Sequence, residues 1–114
     1  MAYSEPYDKL DSKTLDISKA ITSLREELEA VDWYNQRVAA ATDEELKRIM
    51  AHNRDEEKEH AAMLIEWIRR NMDNWDKELK DYIFTSAPLG MHEAPAGGDQ
   101  TSESSLPNLG IGKL

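Results

Sequence analysis

Two long stretches of helical periodicity, separated by only a few residues, constrain this chain more than any other feature. Ile17, Ile21, Leu24, Leu28 and Val31 alternate by four and three, which marks one face of a helix. A neighbouring stripe of Ala20, Leu24, Glu27, Val31, Tyr34 and Val38 keeps the same rhythm. The pattern predicts a helix from Asp11 or Ser12, either of which can act as an N-cap, to about Ala40. A second stripe, Leu46, Met50, Asn53, Glu57, His60, Leu64 and Trp67, predicts another helix that fades between Asn71 and Asn74. Thr42 is expected to cap it, with Glu45 completing a Thr-Asp-Glu-Glu capping box. Trp75, Leu79, Tyr82 and Ile83 then mark one side of a shorter amphipathic segment. The expected fold is all-α: an antiparallel two-helix hairpin followed by a short C-terminal helix.

Such a hairpin is short of core. The chain has 114 residues, of which 7% are aromatic and 32% charged. Small folds bury a low fraction of their area, so a second copy is the expected remedy, two hairpins pairing into a four-helix bundle. Cysteine is absent, which excludes disulfide staples and thiolate metal sites. A net charge of -9 argues against a nucleic-acid partner and favours cations near the surface. No apolar run approaches the roughly 18 residues that span a bilayer. Met1 to Leu10 lacks the basic start and apolar stretch of a secretory signal, so a cytoplasmic location is expected. From Ser86 the composition shifts to Pro, Gly, Ser, Thr and acidic residues, which reads as a disordered linker holding His92. Large apolar residues return in Leu109-Gly-Ile-Gly-Lys-Leu114. The resulting division is a helical domain over 1–85, a linker over 86–106 and a terminal docking peptide over 107–114.

Glu57-Lys-Glu-His60 is a Glu-x-x-His pair, and three residues on a helix place both side chains on one face. Alone it is weak, because Arg54-Asp-Glu-Glu-Lys-Glu-His60 also reads as a solvated charge run. Three features favour a metal site. Glu57 and His60 fall on the expected core stripe, where a charge is costly unless paired or metal-bound. Glu27 interrupts the apolar stripe of the first helix between Leu24 and Val31. With the turn near Ala41–Thr42, Glu27 and Glu57 both stand about 21–23 Å from it at ~1.5 Å per residue, so a hairpin brings them level. One hairpin offers one Glu and one Glu-x-x-His, and di-iron carboxylate bundles use two of each. Oxygen and nitrogen donors suit iron or manganese, and the absence of thiolate disfavours structural zinc.

At Glu26-Glu-Leu-Glu-Ala-Val-Asp-Trp-Tyr34 and Ala51-His-Asn-Arg-Asp-Glu-Glu-Lys-Glu-His-Ala61 the sequence resembles the encapsulated ferritin family. The tail Leu109-Gly-Ile-Gly-Lys-Leu114 is similar to the peptide that directs such cargo into encapsulin shells. The resemblance implies a ferritin-like two-helix subunit with a short third helix, assembled as an annular decamer. It implies a ferroxidase di-iron centre at a dimer interface, built from Glu27, Glu57 and His60 of both chains, with Tyr34 nearby. Glu26, Glu29 and Trp33 match an outer approach where additional metal ions bind. His52, Glu56 and Glu59 match a further metal cluster at the alternative dimer interface, with calcium or other divalent ions as candidate occupants. Leu109, Ile111 and Leu114 are the residues that dock on the shell. Lys113 departs from the serine of the peptide pattern and leaves the Leu, Ile, Leu spacing intact. The expected function is oxidation of ferrous iron for mineral storage inside an encapsulin nanocompartment. Two other readings stay open: a non-catalytic oligomeric adaptor, and a dimanganese or peroxide-reducing form of the same site.

Overall fold

A computed structural model describes residues 3–90. A single 3-10 turn at Tyr7–Lys9 precedes α1 (Ser12–Ala40), α2 (Glu44–Asn71) and α3 (Trp75–Tyr82). The expected all-helical fold is present. By compactness the chain divides into one unit reaching to Met72 and another from Asp73 onward. The linker and terminal peptide, including His92, Leu109, Ile111 and Leu114, lie outside the described residues.

The helix ends follow local chemistry. Asp11 caps α1, its carboxylate accepting from the Thr14 amide at 2.8 Å. At the far end the Ala41 amide donates to Arg37 O, and Ala41 turns extended, which stops the helix. The capping box expected at Thr42 is not formed. Asp43 is the N-cap of α2, its carboxylate accepting from the Leu46 amide at 2.9 Å. Asp43 lies one residue closer to the first helical turn, and a carboxylate also answers the positive helix N-terminus, which a hydroxyl does not. At the end of α2 the Asn71 side-chain amide donates to Trp67 O at 2.8 Å, adding a second donor to a carbonyl of the last turn, and the Met72 amide donates to Ile68 O.

In the first unit α1 and α2 pack antiparallel along their length, joined by the short connection Ala41–Asp43. The buried residues are Ala20 on α1 and Ala61 and Ile68 on α2, and small side chains at the seam let the backbones approach. The α2 seam therefore follows Glu57, Ala61, Leu64 and Ile68. His60 and Trp67 stand on its flank instead of at its centre, and Leu28 is exposed where the stripe placed it inside. The apolar arc on each helix is wider than one neighbour can cover, so one partner helix selects part of it. Even Ile68, the most buried, keeps 2% of its surface accessible, and Ile49, Met63, Ile65 and Trp67 stay exposed. Among the described residues no helix is long and apolar enough to cross a membrane.

The second unit contains α3. Asn74 precedes it in the left-handed region at φ 74, which asparagine tolerates better than most side chains. Lys77–Asp81 at 2.7 Å and Lys80–Asp76 at 3.0 Å bridge successive turns, and the Thr85 hydroxyl donates to Tyr82 O.

Near the end of α2, Arg69 grips Glu66 with two 2.8 Å hydrogen bonds and Arg70 adds a third at 2.6 Å. These bonds, Arg69 foremost, pull the Glu66 carboxyl from 4.5 to about 2. The folded-state value lies below the unfolded one, so the contribution is complete above about 4.5 and is lost as pH falls through about 2. Glu66→Gln should therefore destabilise the protein near neutrality, and the gap should close by about pH 2, as chemical denaturation across pH will read. The cap assignment has its own check at fixed protein concentration. Asp43→Ala should cost ~1 kcal/mol of unfolding free energy, and Thr42→Ala less than about half of that.

Candidate metal centre

The antiparallel hairpin sets the height of three polar side chains. Glu27 lies as many residues before Ala40, the end of α1, as Glu57 lies after Glu44, the start of α2. Every Cα–Cβ bond tilts toward its own helix N-terminus. Glu27 thus leans away from the turn, while His60, one helical turn past Glu57, leans back toward it. The three meet. His60 Nδ1 is 3.1 Å from Glu57 Oε1 and 3.4 Å from Glu27 Oε1. One donor atom from each lies within 4.8 Å of the other two. Among the described residues this is the one group of three or more such side chains that could hold a metal ion.

The donors fit a divalent cation. Ligand atoms around one ion, each ~2.1 Å from it, are at most about 4.2 Å apart, so small rotations close the group. The Glu27 and Glu57 side chains keep 25% and 24% of their surface accessible and His60 keeps 46%, so the group opens to one side. A cation held there by three donors has coordination positions left on that side.

Electrostatics point the same way. Two carboxylates this close cannot both ionise freely. Glu27 is raised above the ordinary 4.5, chiefly by its hydrogen bond to Glu57, and the same bond lowers Glu57. His60 is raised above 6.5, chiefly by its hydrogen bond to Glu57. A metal ion that binds there has to displace any proton the group holds, so binding weakens as pH falls.

The other expected residues are distributed along the same two helices. His52 Nε2 meets Glu56 Oε2 at 3.1 Å across one turn of α2, while Glu59 is exposed and outside any group of three. Glu26 and Glu29 are exposed on α1, flanking Glu27 in sequence. Trp33 and Tyr34 share a cation: the Arg37 guanidinium stands 6.0 Å from the Trp33 ring centre and 5.3 Å from that of Tyr34. Trp33, Gln36, Arg37 and Ala40 line an open hollow of about 370 Å³ there. Sequence reading passed over Arg37, although its four-and-three spacing from both rings was available. It also passed over Arg54 and Asn35, which join the two helices by a 3.1 Å hydrogen bond. Arg54 sits in a charge run that reads as solvated, and no local spacing links it to Asn35.

Comparison with known proteins places this chain in a family. A family model described as EncFtn-like matches residues 2–86. A "ferritin-like protein" of Thermotoga maritima is 50% identical over 113 residues, covering 98% of this chain and 96% of the relative. An "encapsulated ferritin-like protein" of Rhodospirillum rubrum is also 50% identical, covering 96% of this chain and 85% of the relative. Among solved structures, a crystal structure of a protein from Nitrosomonas europaea is similar with a TM-score of 0.77 and 64% identity, covering 80% of this chain and 100% of that one. With the family model spanning most of its length and these relatives aligning nearly end to end, the chain belongs to the EncFtn-like family.

Proposed function

We propose that this protein oxidises ferrous to ferric iron at a di-iron site completed by two copies of the chain, inside an encapsulin compartment that stores the product. The observation that carries the reading is the Glu27–Glu57–His60 group, whose donor atoms converge on a half-open face. One chain supplies half of the two-Glu, two Glu-x-x-His set that di-iron bundles use. The exposed apolar residues beside it, Met63 and Trp67 among them, call for the burial that a second hairpin provides. One symmetric dimer meets both needs, and an annular decamer is its proposed larger assembly.

Iron is the substrate. Ferrous ions are drawn in by the acidic surface near Glu26 and Glu29, beside Trp33. Glu27 and His60 of each chain hold one ion, the two Glu57 carboxylates bridge the pair, and Tyr34 lies toward the hairpin turn. Each ion gives up one electron, and the two electrons pass to dioxygen or another two-electron acceptor. The chain's own contribution is to hold two like charges close together by neutralising them, and to leave positions open for the oxidant. His52, Glu56 and Glu59, which one chain does not gather by itself, are proposed as a secondary position for calcium or another divalent ion where two chains meet. The name of the Rhodospirillum relative supports an encapsulated role. Leu109, Ile111 and Leu114 are proposed to dock on the shell, the intervening glycines letting the backbone lie flat in a groove.

Glu57→Ala and His60→Ala should each lower ferrous oxidation by more than about tenfold, since even outer partners of metal ligands are commonly worth that much. Oxygen uptake after anaerobic ferrous loading measures it. Near-normal uptake by folded variants sinks the site. A wild-type protein that self-associates but neither binds iron nor consumes oxygen is an adaptor instead, and turnover with manganese and peroxide but not ferrous iron marks the other variant of the site.

Deleting residues 107–114 should leave oxidation by the isolated protein nearly unchanged and prevent its co-purification with a co-expressed shell. Packaging that survives the deletion removes the docking assignment. Loss of activity makes the tail part of the catalytic fold.

A further inference from the structure

The triad stands about 20 Å from the hairpin turn, and the short connection Ala41–Asp43 fixes the helix register only at that end. Farther along, the seam is made of small and aliphatic side chains whose four-and-three spacing repeats every turn or two. Apolar burial then distinguishes poorly between neighbouring rotations of one helix against the other. A directional hydrogen bond between the helices does distinguish them, because its distance and angle are met in only one arrangement.

Such a bond lies between the turn and the triad. Arg54, one helical turn before Glu57, has its side chain only 22% exposed. Its Nη1 donates to Asn35 Oδ1 on α1 at 3.1 Å, while its Nε donates to Asp55 Oδ1 at 3.0 Å. Asp55 is itself held by Lys58 Nζ at 3.1 Å. Lys58, Asp55, Arg54 and Asn35 thus form a chain that aims a half-buried guanidinium across the seam. In an antiparallel pair both side chains tilt toward each other along the axis, which lets Arg54 span the offset of about 7 Å between the two positions.

We propose that the Arg54–Asn35 hydrogen bond locks the register of α1 against α2, making both positioning residues for Glu27, Glu57 and His60. The inference rests on those three being metal ligands. Asn35 is exposed and on a helix, so Asn35→Ala keeps or improves helix propensity while removing the acceptor. Asn35→Asp keeps an acceptor for the guanidinium.

Cobalt(II) is a suitable probe, because its visible absorption reports ligand geometry and its titration gives affinity without turnover. Asn35→Ala and Arg54→Met should each weaken cobalt binding about tenfold and broaden the bands. The double variant should be no weaker than either single one. Asn35→Asp should bind like the parent, and the thermal midpoint of Asn35→Ala should not fall. Parent-like affinity and spectrum in Asn35→Ala overturn the lock, as does an Asn35→Asp that loses as much as Asn35→Ala. If Arg54→Met does not fold, the two Asn35 variants alone decide. Should the parent bind cobalt no better than Glu57→Ala, the ligand assignment fails and takes this inference with it.

Discussion

The antiparallel pairing of α1 and α2 is the constraint on which the candidate site depends. Glu27 belongs to one helix and Glu57 and His60 to the other, 30 and 33 residues on in the chain. Neither helix holds a cation by itself with more than two donors from this group. The pairing brings His60 Nδ1 within 3.4 Å of a carboxylate from each helix. That proximity also sets the titration of the group: Glu27 is raised and Glu57 lowered by the bond they share, and His60 is raised by both carboxylates.

The same pairing leaves the hairpin incomplete in two respects at once. Ala20, Ala61 and Ile68 are its buried residues, which is little for helices of about 42 Å. The triad, meanwhile, is open on one side. Large apolar side chains such as Met63 and Trp67 follow His60 along α2, so the uncovered surface and the open coordination positions neighbour each other. A partner that covers the first meets the second. Under the proposed function that partner is another copy of the chain, because a symmetric copy brings the same donors to the same height.

Polar side chains that reach across or beside the seam carry a different burden from the aliphatic ones. Ala20, Ala61 and Ile68 supply burial that changes little with a small rotation. Arg54 and Asn35, and Glu27 with His60, are sensitive to fractions of an ångström. Stability and geometric precision therefore rest on different residues. Natural sequences tolerate this cost in burial where a site needs its ligands fixed.

Much was determined by the sequence itself. The four-and-three rhythm gave two long helices and their ends to within a residue or so, because periodicity and capping are local. Equal distance from the turn made Glu27 and Glu57 legible as neighbours, with His60 one helical turn on, so the candidate group could be read from the fixed helical rise. The choice of Asp43 over Thr42 was within reach of the sequence: a carboxylate is the better cap, but the Thr-Asp-Glu-Glu capping-box pattern pointed one residue too early. Tertiary structure decided which part of each broad apolar arc faces the neighbouring helix. It placed Ala61 and Ile68 in the seam and left Leu28 and Trp67 outside, because one helix can cover only part of such an arc. It also joined Arg54 to Asn35. That contact depends on how two helices are rotated about their axes, a quantity that no residue spacing along one helix encodes.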